Sequence, residues 1–191
     1  MDAPRLALRA SGAVCAGLLL VLVAGVSLHG GDGLAQIVVQ DSQGNPLPVP
    51  AAPTVERGLW KTRPVLVFVV PAKVLEGVDA ARGAGSATPS IEVPGHAELR
   101  LFALSAMSTQ LGCTVVFNAQ LGASKDVADY DGDGVPDGRI MDPCSQYTWD
   151  AFHDGAFVSG KSVPRLASLD VQIVDGHLSA TVFDGPIGPA R

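Results

Sequence analysis

Two groups of side chains in this sequence have types and spacings that could carry chemistry. The first is Asp129-Tyr130-Asp131-Gly132-Asp133-Gly134-Val135-Pro136-Asp137, which has the form D-x-D-x-D-G-x-x-D. Asp129, Asp131 and Asp133 occupy positions 1, 3 and 5 of a calcium loop; Gly134 permits the sharp turn, Val135 offers a carbonyl, and Asp137 stands at position 9. Hard oxygen donors at this spacing suit Ca²⁺. Position 12 is Ile140 rather than an acidic residue, and Asp142 follows two residues later as the nearest closing donor. A shell left incomplete in this way implies affinity on the order of 10⁻⁴ to 10⁻³ M. The plain alternative is an acidic, glycine-rich solvated turn.

The second group is Cys113, which ends Ser108-Thr109-Gln110-Leu111-Gly112-Cys113, together with Cys144 in Asp142-Pro143-Cys144. Two thiolates are too few for a zinc or iron site, and outside the cytoplasm the default for such a pair is a disulfide. Closing a loop of about 30 residues would contribute roughly 3 to 4 kcal/mol in the chain-entropy view. No serine or cysteine has a base that would activate it, and no glycine loop between strand and helix offers a phosphate cradle. The sequence therefore does not read as an enzyme.

The compartment follows from the N-terminus. Ala10 to Leu28 is a run of 19 uncharged residues, and a helix of that length spans about 28 Å, close to a bilayer core. Arg5 and Arg9 precede it and no basic residue follows closely, which places the N-terminus in the cytoplasm and the rest outside. The expected organisation is a cytoplasmic tail at 1–9, a transmembrane anchor at 10–29, a Pro/Gly-rich stalk at 30–58 and an extracytoplasmic, periplasmic domain at 59–191 with an acidic insertion loop at 126–142. A signal peptide cleaved near Gly33-Leu34-Ala35 is the alternative. Cys15, inside the apolar run, reads as a small hydrophobe.

The rest of the chain has to position the two groups. Of its 191 residues 47% are hydrophobic and only 17% charged, with 22 Gly and 14 Pro, a balance that favours short strands and turns and an all-β fold. A formal charge of −6, with 13 Lys+Arg scattered among 19 Asp+Glu, excludes the basic face that nucleic acid requires. The run Pro64 to Val70, PVLVFVV, reads as a buried strand. Ala72 to Arg82 has Val74, Leu75, Val78 and Ala81 at helical spacing, and glycines and a proline behind it stop the helix. Further strands are expected at Ala35 to Gln40, Ile91 to Val93, Leu99 to Ala106, Thr114 to Asn118 and Ala156 to Val158. A final pair, Ala167 to Val174 and Leu178 to Phe183, is joined by the hairpin signal Asp175-Gly176. Trp60 and Trp149 read as packing aromatics, and His29, His96, His153 and His177 fall in turn-like settings.

In order along the chain, STQLGCTVVFN and then DPCSQYTWDAFHDGAFVSGKSVPRLASLDVQIVDGHL resemble the cluster-binding half of the Rieske iron–sulfur proteins of cytochrome bc-type complexes. The motifs of that family are Cys-x-His-x-Gly-Cys and Cys-Pro-Cys-His-Gly; the first Cys and the His of each hold a [2Fe–2S] cluster, and the remaining cysteines form a disulfide. The resemblance puts Ser108 and Gln110 at the ligand positions of the first motif and Asp142 at the first ligand position of the second. It puts Cys113 and Cys144 at the disulfide positions. The His-Gly expected after Cys144 is missing, and the chain runs directly into Ser145-Gln146-Tyr147. A serine, a carboxamide and a lone carboxylate do not replace two thiolates and two imidazoles, so no [2Fe–2S] cofactor is expected and Ca²⁺ is the one ion the sequence suggests. DGDGVPDG is similar to EF-hand loops and to thrombospondin type 3 and dockerin repeats.

What the resemblance implies is an antiparallel Rieske-like β-sandwich with one short inserted helix and an N-terminal transmembrane helix. The implied role is a cluster-free structural or assembly subunit of a membrane electron-transfer complex of the quinol:cytochrome type. Its partners would be the membrane and the integral membrane and cytochrome subunits of a respiratory or photosynthetic complex. Two alternatives are an electron carrier with unusual ligation and a calcium-stabilised extracellular binding module.

Overall fold

The apolar run PVLVFVV becomes a strand buried on both faces. In the computed structural model, which describes residues 36–117, 138–160 and 162–189, β1 is Ile37–Val38, β2 Thr54–Trp60 and β3 Arg63–Pro71. Every residue of β3 from Val65 to Val70 is buried, because the strand has apolar layers on both of its faces. Val65, Val67 and Val69 enter one core while Leu66, Phe68 and Val70 enter the other, as a two-residue side-chain period requires. Helix α1 (Ala72–Arg82) follows at once. It buries Ala72, Val74, Leu75 and Val78, and ends at Gly83 with φ 105°.

Strands β4 (Ile91–Val93) and β5 (His96–Ser105) come next; β5 pairs antiparallel with β3 from Val65↔Ser105 to Pro71↔Leu99. The last two strands, β10 (Ser168–Val174) and β11 (His177–Asp184), form the expected hairpin. Its turn residues Asp175 and Gly176 both have positive φ, 51° and 77°, the geometry that suits the right-handed twist of the flanking strands. Among the described residues the large sheet runs β1-β11-β10-β5-β3-β2, with β4 also on β5. Its two ends meet: Gln40 and Leu59 exchange backbone hydrogen bonds of 2.9 and 2.7 Å. The sheet thus wraps around the first core, where Trp60 meets Phe183 edge-on at 5.2 Å and donates its indole N–H to the Ala180 carbonyl.

A smaller antiparallel sheet runs in chain order through β6 (Val116–Phe117), β7 (Arg139–Met141), β8 (Thr148–Asp150) and β9 (Ala156–Ser159). It contributes Ile140, Trp149 and, just beyond β8, Phe152 to the second core, beside Phe68 and Phe102 stacked at 4.8 Å. Arg82 at the end of α1 donates to Nδ1 of His153 at 2.8 Å and lies 3.9 Å from the buried carboxylate of Asp150. Helix and small sheet are joined there.

The mostly β character and the inserted helix agree with expectation, the helix over the same residues, 72–82. The stalk does not: residues 36–58 are part of the folded domain. Val39 and Leu47 are core residues, and β2 pairs with β3 over its whole length from Thr54↔Val69 to Trp60↔Arg63. Prolines and charges in PLPVPAAPTVER suggest a solvated extended segment, and the backbone is extended, but its hydrogen bonds are taken by neighbouring strands. Gly58 is required at this closure, since a Cβ there would come within 2.8 Å of the Val39 side chain. The tail and anchor expected at 1–29 lie outside the described residues. Among those described, no helix is long and apolar enough to cross a membrane.

Candidate functional site

Two loops and the C-terminal segment converge beside the small sheet. The first loop, 108–113, leaves the end of β5 and folds back on itself: the Ser108 amide donates to the Cys113 carbonyl at 2.8 Å, and the Gly112 amide returns to the Ser108 carbonyl at 3.1 Å. The Ser108 hydroxyl accepts from the amides of Gln110 and Leu111 at 3.4 and 3.5 Å. The second loop, 142–147, joins β7 to β8. The Asp142 amide donates to the Tyr147 carbonyl at 2.8 Å, the Gln146 amide to the Asp142 carbonyl at 2.7 Å, and Gln146 takes φ 60° to complete the turn.

A disulfide between Cys113 and Cys144, 31 residues apart in sequence, links the loops with Cα atoms at 6.4 Å. Cys113 is buried and Cys144 exposed. Beside the sulfurs lies the carboxylate of Asp142, fully buried. One of its oxygens accepts from the Cys144 amide at 2.8 Å and the other from the Ser145 hydroxyl at 2.7 Å. Burial pushes the Asp142 carboxyl up, but hydrogen bonds from Ser145, Ser108 and the amides of Cys144 and Ser145 outweigh it and hold its pKa below the ordinary aspartate value. The ionised carboxylate thus draws Ser108 on one loop and Ser145 on the other into one polar group.

Two further segments close over these loops. In the proline-containing segment before β10, the Pro164 carbonyl accepts from the Trp149 indole at 3.0 Å and from the Thr109 hydroxyl at 3.2 Å. Arg165 next to it bridges Asp154 at 3.0 Å and Asp184 at 2.8 Å. The C-terminal residues 186–189 lie against the first loop: a Cβ on Gly188 would fall 1.9 Å from the Ser108 carbonyl oxygen, and one on Gly112 would fall 2.1 Å from that of Pro189. Gly112 also has φ 66°, a left-handed conformation. The glycine of STQLGC is therefore dictated by both its turn and its contact.

Of the residues singled out in the sequence, Ser108, Cys113, Asp142 and Cys144 come together, while Gln110 stands exposed on the loop. Ser145 belongs to the group as well. Its signal was its place directly after Cys144, where the resembled motif has a histidine. Asp142 is committed to the disulfide loops; Asp129, Asp131, Asp133, Val135 and Asp137, the rest of the expected calcium set, lie outside the described residues. His153 pairs with Arg82 and His96 with Glu98.

Among the described residues, Cys113, Asp142 and Cys144 form the one group of three side chains able to ligate a metal, with their donor atoms within 4.8 Å of one another. With the disulfide closed, the group offers one carboxylate and two neighbouring hydroxyls, a hard and sparse donor set that does not fit an iron–sulfur cluster. No protein-family model matches the chain, and no curated protein is significantly similar to it.

Proposed function

We propose that the chain is a cluster-free, Rieske-like subunit that serves a membrane electron-transfer complex of the quinol:cytochrome type in structure or assembly rather than in redox chemistry. One observation carries the reading. The two loops that resemble cluster-binding loops are joined by a disulfide at the corresponding cysteines, while Ser108, Asp142 and Ser145 hydrogen-bond among themselves at three of the four ligand positions. Gln110, the fourth, faces solvent.

The role follows from the chemistry. A buried carboxylate satisfied by two hydroxyls and two amides keeps the loops in one shape without metal. Such loops present a rigid tip, closed by the proline segment and the C-terminal tail, that suits docking to a partner protein. The anchor read at 10–29 would hold that tip near membrane subunits on the extracytoplasmic side. No catalytic residue is assigned.

Purification of the full chain from membranes in mild detergent tests this. The protein should be colourless, lack stoichiometric iron and sulfide, and co-purify with integral membrane and cytochrome subunits. Two irons per chain with the paramagnetic signal of a histidine-ligated [2Fe–2S] centre would sink the reading in favour of a carrier with unusual ligation. Recovery with surface proteins and no cytochromes would favour a calcium-stabilised binding module.

A further inference from the structure

We propose that reduction of the Cys113–Cys144 disulfide opens a site for one thiophilic divalent cation, zinc or its spectroscopic substitute cobalt, ligated by the two freed thiolates and the Asp142 carboxylate. This goes beyond the reading above and does not depend on it, because it rests on the geometry of three side chains.

The first ground is convergence. Both sulfurs and a carboxylate oxygen of Asp142 already lie within 4.8 Å of one another. Around a tetrahedral zinc, sulfur ligands stand about 3.8 Å apart and a sulfur and a carboxylate oxygen about 3.6 Å, from bond lengths of about 2.3 and 2.1 Å. With the Cα atoms at 6.4 Å, rotation about the two cysteine χ1 bonds reaches that spacing. Water or the Ser108 hydroxyl completes the tetrahedron.

The second ground is charge. Asp142 is a buried anion whose partners are all neutral: Cys144 and Ser145 amides and the Ser145 and Ser108 hydroxyls. The two carboxylate oxygens offer about four lone pairs to these four neutral donors, so a cation would take the place of the Ser108 hydrogen bond, exchanging a neutral donor for a full positive charge while the other three bonds remain. The existing hydrogen bonds would then orient the ligand, as outer hydrogen bonds do for metal-binding carboxylates.

The third ground is access. Cys144 is exposed, so a soluble dithiol can attack its sulfur. A mixed disulfide forms there, Cys113 leaves as thiolate, and the second thiol of the reagent resolves the mixed disulfide. Two electrons pass from the dithiol, which becomes a disulfide, to the cysteine pair, which becomes two thiols. Binding of the divalent cation then releases two protons.

The test uses the full chain in detergent, reduced with a phosphine and titrated anaerobically with Co²⁺. A sulfur-to-cobalt charge-transfer band should saturate at one equivalent in the reduced protein and be displaced by Zn²⁺; the oxidised protein should show none. Asp142→Asn should weaken binding by at least about tenfold, and Cys113→Ala/Cys144→Ala should abolish the band. The proposal is overturned by an equal affinity in Asp142→Asn, by a band in the oxidised protein or the double variant, or by no band in the reduced wild type. Circular dichroism closes the remaining route: a reduced chain that loses its β signal and is not refolded by the metal also overturns it.

Discussion

The large sheet and the disulfide loops solve the problem of holding backbone in place by different means. In the large sheet, β3 and β5 are buried on both faces, and the stabilising area is spread over valines, leucines and phenylalanines of two cores. The loops at 108–113 and 142–147 contribute fewer apolar side chains, chiefly Cys113 and Tyr147. They are held by one covalent bond, a buried carboxylate and the close approach of a tail. The difference teaches that polar residues on such loops can change type without disturbing the scaffold, because the scaffold's stability lies elsewhere. It also predicts that damage to the two regions will look different.

The largest effect is expected from the scaffold. Phe102→Ala removes a fully buried ring stacked on Phe68 at 4.8 Å and should cost about 3–5 kcal/mol, read as a fall in the urea midpoint with the slope unchanged. A loss below about 1 kcal/mol would break the comparison at its root. Next comes Cys113→Ser/Cys144→Ser, for which roughly 3–4 kcal/mol is expected from the loop it closes. Hydrogen exchange should separate it from the core variant: amides of 108–113 and 142–147 lose protection at free energies well below the global value, while β3 and β5 exchange only through global unfolding. Uniform loss of protection would mean that the loops and the sheet form one cooperative unit.

A smaller loss is expected for Gly112→Ala, about 1–3 kcal/mol, from a left-handed φ and a 2.1 Å clash with the Pro189 carbonyl. Deleting residues 186–191 in the same background should relieve the clash and recover part of the loss in thermal unfolding. The calcium reading of 129–137 predicts less: with a Kd of about 10⁻⁴ to 10⁻³ M, 1 mM Ca²⁺ would stabilise by about 0.4–1.4 kcal/mol. Differential scanning calorimetry with and without chelator measures this, and equal Tm values would remove the ion from the account.

The smallest effect concerns acid. Because the folded-state pKa of Asp142 is lowered, its contribution is fully present above the ordinary aspartate pKa of about 3.9 and is lost as pH falls through the lower folded value. Asp142→Asn should therefore flatten the pH dependence of stability in that acid window. An unchanged profile would show that the hydroxyls and amides around the carboxylate do not favour its charge.

Much of the scaffold was legible because its signals are local. Val65 to Val70 is apolar at every position, Val74, Leu75 and Val78 recur at helical spacing, and Asp175-Gly176 marks its hairpin without reference to anything distant. The site was legible only in part. Cys113, Cys144, Ser108 and Asp142 stand out through their motif frame, and Ser145 by its place after Cys144, but that the Asp142 carboxylate is buried and also reached by Ser108 from the other loop shows only when the two loops are seen side by side. Strands β7 and β8, three residues each, are too short for a period to appear. β2 was hidden by Glu56, Arg57 and Gly58, residues that say nothing of a strand until Val39 and β3 are placed beside them.

What the sequence by itself determined, then, is the mostly β character, the doubly buried strand at Pro64 to Val70, the helix, the last hairpin and the pairing of Cys113 with Cys144. Each rests on side-chain periodicity, turn chemistry or cysteine usage, which act over a few residues or follow from composition. Only the tertiary structure decided that residues 36–58 close the large sheet, that Asp142 is a buried anion shared by Ser108 and Ser145, and that the tail at 186–189 presses on Gly112. The physical reason is that hydrogen bonds and close contacts between distant segments depend on three-dimensional approach, and no local pattern records which carbonyl will meet which glycine.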